Sequence, residues 1–258
     1  MTIPYRNQRI ILANPPIATQ DYNRKSITLN GTDEFFNGYG DIFNFALTDT
    51  FAFSFWAKKS TGGGIVAGRF SNAATFGRGW DIAIFSNLFR WRWQYNAAAN
   101  VDQMEVVANG TTVMNGNWHH IGIVKNAGVG NASEIALYFD GLPTTPTISV
   151  NTLHTNIPAG IDFEFARRIW DGTGGGSNFL GQLDEFCVWS QALTAAQMSR
   201  VYRTRDPRLL PFSSSLELYH SGDGSDGTIL PDYSVNGRNG TPQNMDASNY
   251  TTDVYTPT

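Results

Sequence analysis

The sequence predicts an all-β chain folded as a two-sheet antiparallel sandwich. Short runs of aromatic and branched residues, such as residues 51–56, 89–95 and 117–124, have the length of strands. Between them stand turn clusters: Gly62-Gly63-Gly64, Asn109-Gly110, Asn115-Gly116, Gly128 to Gly130, Asp140-Gly141 and Gly172 to Gly176. Long helical periodicity is absent, and short strands broken by such turns make a sandwich. The 258 residues, 41% hydrophobic and 13% aromatic, suffice for one large core.

Residues 1–25 read as an extended arm. Pro4, Pro15 and Pro16 deny it regular ladder bonds, while Tyr5, Ile10, Ile11, Leu12 and Ile17 are apolar groups in need of cover. Residues 26–203 read as the β-domain. In residues 89–95, Phe89, Trp91, Trp93 and Tyr95 share one face, and Arg90, Arg92 and Gln94 share the other. The arginine face reads as wet. The aromatic face has two readings: a core face, or, if it is open, a sugar-stacking surface carried by Trp91, Trp93 and Tyr95. Further on, Leu183, Glu185, Cys187 and Trp189 alternate with Asp184, Phe186, Val188 and Ser190, as in a strand buried on both faces. Thr194 then opens a short helix as its N-cap. Gln197 completes a capping box, and Met198, Val201 and Tyr202 form an apolar stripe. Trp56, Trp118 and Trp189 are expected in the core.

Residues 204–258 form a C-terminal extension. Asp206-Pro207 ends the helix, residues 215–220 make one more strand, and residues 222–241 are rich in turns. The arm and the final residues, 240–258, carry apolar groups without periodicity, and both are expected to be ordered by neighbouring chains.

Composition narrows the chemistry. Net charge is −4 with no basic run, which argues against nucleic acid, because phosphate backbones need clustered Lys and Arg. No apolar run approaches the roughly 20 residues of a membrane span. Residues 1–16 lack the apolar stretch of an export signal, so synthesis in a cytoplasm is expected. The single cysteine, Cys187, reads as a small buried hydrophobe. Adjacent strand residues point to opposite faces, so His119 and His120 do not ligate one metal together, and Asp184 and Glu185 are parted in the same way. A glycosidase needs two carboxylates on one face. Asp162 and Glu164 have that spacing but no third acid nearby, and the chain is not expected to be an enzyme. Residues 222–227 resemble part of a calcium loop but lack its closing Glu, and read as a linker.

Five segments, in order, resemble one family. Ser26-Ile-Thr-Leu-Asn-Gly-Thr-Asp-Glu-Phe-Phe36 is similar to its opening strand and turn, with Asn30 where Asp is usual. Phe51-Ala-Phe-Ser-Phe-Trp-Ala-Lys-Lys59, Asn117-Trp-His-His-Ile-Gly-Ile-Val124 and Ile135-Ala-Leu-Tyr-Phe-Asp-Gly141 resemble three inner strands. Gly181-Gln-Leu-Asp-Glu-Phe-Cys-Val-Trp189, followed by Ala192-Leu-Thr194, resembles the closing strand and turn. Together they resemble the laminin-G-like, concanavalin A-type jelly rolls, a family built mostly for binding.

The resemblance implies a jelly-roll sandwich. It also implies one structural Ca²⁺ held by the Gly31 carbonyl, Asp33 and Asp184, hard oxygen ligands that suit the ion. Capping of loop N–H groups is the alternative role for Asp184. Residues 222–241 resemble a segment that in this family leads into a further domain. The function expected is a non-catalytic structural or accessory protein of a virus particle, of phage type. It would sit in the virion with other virion proteins or copies of itself, and present its jelly roll to glycans. A free-standing carbohydrate-binding or cell-surface adhesion module is the second reading, and a glycoside hydrolase relative the third.

Overall fold

Among the described residues, two eight-stranded antiparallel sheets pack face to face, as expected. The computed structural model describes residues 25–255 except 60, 72–76, 86–87, 97–101, 169–176, 205 and 226. The arm expected over residues 1–25 lies outside these, apart from Lys25. The first sheet runs in the order β10 (Leu142–Thr144), β9 (Ile135–Phe139), β8 (Trp118–Lys125), β3 (Phe51–Lys58), β13 (Leu180–Trp189), β1 (Ser26–Asn30) and β16 (Tyr250–Thr251), with β14 (Leu216–His220) also paired to β13. The second runs β11 (Thr147–Asn151), β7 (Asp102–Asn109), β6 (Leu88–Asn96), β5 (Arg78–Phe85), β4 (Gly63–Ser71), β12 (Phe163–Phe165), β2 (Phe35–Asn37) and β15 (Thr241–Gln243).

Strand alternation builds the core. Phe53 and Phe55 of β3, with Ile121 and Ile123 of β8, meet Trp80 of β5 and Trp91 and Trp93 of β6. All of them are fully buried, and burying a side chain of this size is worth about 1.5–3 kcal/mol. The Phe53 ring centre lies 5.1 Å from that of Trp80 and 5.5 Å from that of Trp91. Trp91 and Trp93 therefore serve as core and not as a sugar platform, because β6 turns its aromatic face to the opposing sheet. The arginine face of β6 is not wet either. Asp81, with no exposed surface, accepts from Arg90 at 2.9 Å and Arg92 at 2.6 Å, and from Arg168.

The outer face of the first sheet is covered by helix α1 (Ala195–Arg203) and the C-terminal extension. Thr194 N donates to Gln197 Oε1 at 2.8 Å and Gln197 N to Thr194 Oγ1 at 3.3 Å, the expected capping box, worth about 1 kcal/mol. Met198 and Val201 join Ala52, Val124, Cys187 and Trp189 in a second apolar cluster. Gly122 of β8 lies under Met198, where an added Cβ would sit 2.6 Å from the sulfur. A side chain at that position would have to push the Met198 thioether out of its place in the cluster.

Strand β13 breaks strict alternation. Leu183, Phe186 and Val188 face the main core, while Cys187 and Trp189 face the second cluster. The cause is a bulge between Asp184 and Cys187, where Glu185 takes a φ of 49° and the pairing with β3 shifts. The bulge turns both acids toward the C-terminal extension instead of to opposite faces. Asp184 accepts from the Gly222 N–H, and Glu185 lies against Tyr219.

Residues 240–255 depart from expectation: their own domain orders them. β15 pairs with β2, β16 pairs with β1, and Tyr250 and Tyr255 are buried. Trp56 and Trp189 are core as expected. Trp118 is only half-buried, and its indole N–H donates to the Asp253 carboxylate at 3.1 Å.

Candidate functional site

Residues 38–50, joining β2 to β3, form one wall of a cleft of about 650 Å³. The opposite wall comes from Ser190 at the end of β13, Glu217 of β14, and Arg238. The loop is fixed from beneath by long-range bonds. Trp80 Nε1 donates to the Phe43 carbonyl at 3.1 Å, holding Phe43 at a φ of 58°. Such a conformation is costly for a bulky residue and persists only where its surroundings impose it. Phe45 stacks on Phe51, ring centres 4.0 Å apart at 20°. Phe45 and Ile42 keep part of their apolar surface open at the cleft.

The polar rim is equally fixed. Asp41 accepts from Arg69 Nε at 3.0 Å and from Gly160 N at 2.6 Å. Burial alone would raise the Asp41 carboxyl, but the Gly160 N–H and the Arg69 guanidinium outweigh it and hold it below the usual range. Arg238 pairs with Glu217 at 3.2 Å, and its backbone N–H donates to Asp232 at 2.7 Å. Asp232 also accepts from Tyr219 N and Ser234 N, both at 2.9 Å, and so folds the turn-rich stretch around itself. Asp49 accepts from Ala46 N at 2.8 Å. Carboxylates and a guanidinium held in place beside a partly open apolar floor match the hydroxyls and C–H faces of a sugar ring.

The residues expected from the sequence lie elsewhere. Trp91 and Trp93 are inside the core, and Tyr95 is half-buried under Arg78, whose guanidinium stands 4.8 Å from the ring centre. Nor do Gly31, Asp33 and Asp184 converge. Asn30 pairs with Leu180 across β1 and β13, and Asp184 lies four residues farther along β13, about 13 Å at strand rise. Exposed Asp33 accepts from Asn30 Nδ2 at 2.9 Å, whereas Asp184 is 1% exposed, with Oδ1 bonded to Glu185 N at 2.9 Å. These three residues do not fit one Ca²⁺. Among the described residues, no group of three or more His, Cys, Asp or Glu is placed to hold a metal ion.

Other titratable groups have structural roles. Glu164 is buried and held by both Arg167 nitrogens, at 2.7 and 2.9 Å. His119 bonds Asp140 at 2.9 Å, and His120, buried beside Trp56 and Tyr202, is pushed down to about 3 by burial. Burial also pushes the Cys187 thiol well up, away from thiolate chemistry.

Residues 30–199 match the family Laminin_G_3, described as the concanavalin A-like lectin/glucanases superfamily. Among solved structures, a candidate carbohydrate-binding protein from Bacteroides ovatus is 16% identical, with a TM-score of 0.57. That match covers 87% of this chain and 59% of the other, so the chain spans little more than half the length of that protein. A heptameric SAP-like pentraxin from Limulus polyphemus is 16% identical with a TM-score of 0.44, covering 70% of this chain and 82% of the other. The binding domain of botulinum neurotoxin DC, in complex with SialylT, is 15% identical with a TM-score of 0.44, covering 62% and 36%. The Bacteroides likeness shows the fold alone. Comparison with curated proteins gives no match.

Proposed function

We propose that this chain, which belongs to the concanavalin A-like lectin/glucanases superfamily, is a non-catalytic glycan-binding module whose sugar site is the cleft beside residues 38–50. One observation carries the reading: the partly open Phe45 and Ile42 surface stands beside Asp41, Asp49, Glu217 and Arg238, which their own hydrogen bonds hold in place. A pyranose ring lays its C–H face on an apolar floor and gives its hydroxyls to carboxylates and guanidinium. Fixing those groups in advance lowers the ordering cost of binding.

The same groups are ill suited to hydrolysis. A glycosidase needs a general acid whose pKa is raised. Asp41 is held low, and the acids pushed up, Asp184 and Glu185, are buried beneath the C-terminal extension. The expectation of a virus particle rested partly on a C-terminal end that seeks a neighbour. That end packs on its own domain, and the reading proposed here needs no assembly. No helix among the described residues is long and apolar enough to cross a membrane.

The test is a panel of neutral and acidic oligosaccharides, scored for binding and for release of reducing ends. We expect binding of a subset and no release. Release abolished by Asp41→Asn or Glu217→Gln would overturn the non-catalytic reading.

A further inference from the structure

Residues 231–239 form a loop closed by mutual backbone bonds between Leu230 and Gly240, each at 2.9 Å. At its tip Val235, Asn236 and Gly237 are exposed, Val235 to 95%. Glycine after asparagine leaves no side chain to shield the backbone nitrogen from the asparagine carbonyl carbon. Gly237 has a φ of 60°, and a Cβ added there would meet nothing within 4 Å. Among the described residues nothing accepts from the Gly237 N–H, and nothing donates to Asn236 Oδ1. The fold closes the other Asn-Gly steps. At Gly31, Gly38 and Gly240 an added Cβ would collide with Leu180, Thr241 and Tyr39. Gly110 is buried, and Gly116 N donates to the Lys59 carbonyl at 3.0 Å. The amide oxygens are tied as well: Asn30 accepts from Thr32 N at 2.7 Å, Asn115 from Asn117 N at 2.9 Å, and Asn239 from Asp232 N at 2.8 Å.

We infer that Asn236 is a site of spontaneous deamidation, and that its conversion loosens the rim of the cleft. The Gly237 nitrogen attacks Asn236 Cγ, an intramolecular step favoured by proximity, and the new C–N bond closes a succinimide ring. The Cγ–Nδ2 bond breaks, and Nδ2 leaves as ammonia with the proton that the Gly237 nitrogen gives up. Water then opens the ring at either carbonyl, leaving aspartate or isoaspartate. The amide consumed is one that holds the rim. Asn236 Nδ2 donates to the Glu217 carbonyl at 3.0 Å and to Glu217 Oε2 at 3.2 Å. Arg238 Nη1 shares both acceptors. A carboxylate in place of the amide donates nothing and sets a second negative charge beside Glu217. Glu217 and Arg238 both line the cleft. The reaction stands without the glycan-binding reading, and only its effect on affinity rests on that reading.

The experiment ages the full chain in acidic and in alkaline buffer and maps its tryptic peptides by mass. Trypsin cuts after Arg238 and so parts Asn236 from Asn239. The Asn236 peptide is expected to gain one mass unit ahead of the other Asn-Gly peptides and to yield isoaspartate. It should do so faster in alkali, where the attacking nitrogen loses its proton more readily. In urea the other Asn-Gly steps should catch up, because the fold no longer closes them. Asn236→Gln, whose cyclisation needs a larger ring, should stay unconverted. An Asn236 that outlasts the other Asn-Gly steps in the folded chain would overturn the inference, as would an undiminished lead for Asn236 in urea. NMR reads the rim: the Arg238 guanidinium signals should move in Asn236→Asp, and unmoved signals would overturn the loosening. Converted protein that shows those moved signals yet keeps its full glycan affinity would contradict the cleft as the sugar site and leave the deamidation standing, so the two readings fail separately.

Discussion

Tyr255 lies flat on Trp56, with ring centres 3.9 Å apart and planes 8° from parallel. The Tyr255 hydroxyl donates to the Thr204 carbonyl at 3.0 Å, and Ser26 Oγ donates to the Asp253 carbonyl at 2.6 Å. The last described residues thus close the outer face of the first sheet instead of reaching away from it. Replacing Tyr255 with Ala should cost about 3 kcal/mol, as truncation of a buried aromatic does. Urea unfolding would measure it. A variant as stable as the wild type, or a C-terminal end cleaved by mild protease in the folded monomer, would show that this contact contributes nothing.

Asp184 and Glu185 should make stability fall as pH rises above about 6.5, where the buried His120 and His220, pushed down to about 3 and about 4, no longer give an opposing slope. Burial pushes both Asp184 and Glu185 well up, and each carboxylate also faces other acids, Asp223 for Asp184 and Asp184 for Glu185. The unfolded chain releases these protons near the ordinary carboxylate range, about 4, while the fold retains them. Above the ordinary carboxylate range these two groups hold more protons in the native state, so their contribution to the slope of stability against pH is negative. Asp184→Asn or Glu185→Gln should flatten that slope and stabilise the protein at pH 8. Urea midpoints across the range would decide it, and an identical slope in wild type and both variants would contradict the assignment.

Lys59 acts in the alkaline range with the opposite slope. The folded state gives up its proton near 8, whereas an unfolded lysine keeps it to about 10.4. Stability from this group should therefore rise between those pH values. Lys59→Met should melt higher than the wild type at pH 7 and lack the alkaline gain. A lower melting temperature at pH 7 would mean that the ammonium is already compensated.

The melting temperature should be unmoved by EDTA and by Ca²⁺. The turn that carries Asp33 follows Asn30, which pairs with Leu180, four residues along β13 from Asp184, and a folded-state ion at 100-fold excess over its Kd would add about 2.7 kcal/mol. A rise of several degrees with Ca²⁺ would point to a site built from other residues.

Local signals were legible in the sequence where the physics is local. Thr194 and Gln197 sit three residues apart, so their capping box needs no tertiary information, and it forms. Strand periodicity likewise placed Trp91 and Trp93 together on one face of β6. It does not say what covers that face, and the opposing β3 settles them as core. The bulge at Asp184 and Glu185 escaped because alternation assumes an unbroken ladder. The cleft escaped for another reason. The path of residues 38–50 is set by Arg69 holding Asp41 and Trp80 holding Phe43, contacts between segments far apart in sequence. The only trace is a loop, Asp41-Ile-Phe-Asn-Phe45, more aromatic than a plain connection needs. Tyr255 was equally hidden, because stacking on Trp56 requires no periodicity.

The most direct test of the glycan-binding account is calorimetry of the tightest oligosaccharide from the panel against wild type, Phe45→Ala and Arg238→Ala. Phe45 is half-buried and Arg238 lies on the rim, so both variants should fold, as near-UV circular dichroism would verify. The account predicts at least a ten-fold loss of affinity in each, about 1.4 kcal/mol or more. Undiminished affinity in both folded variants would contradict it.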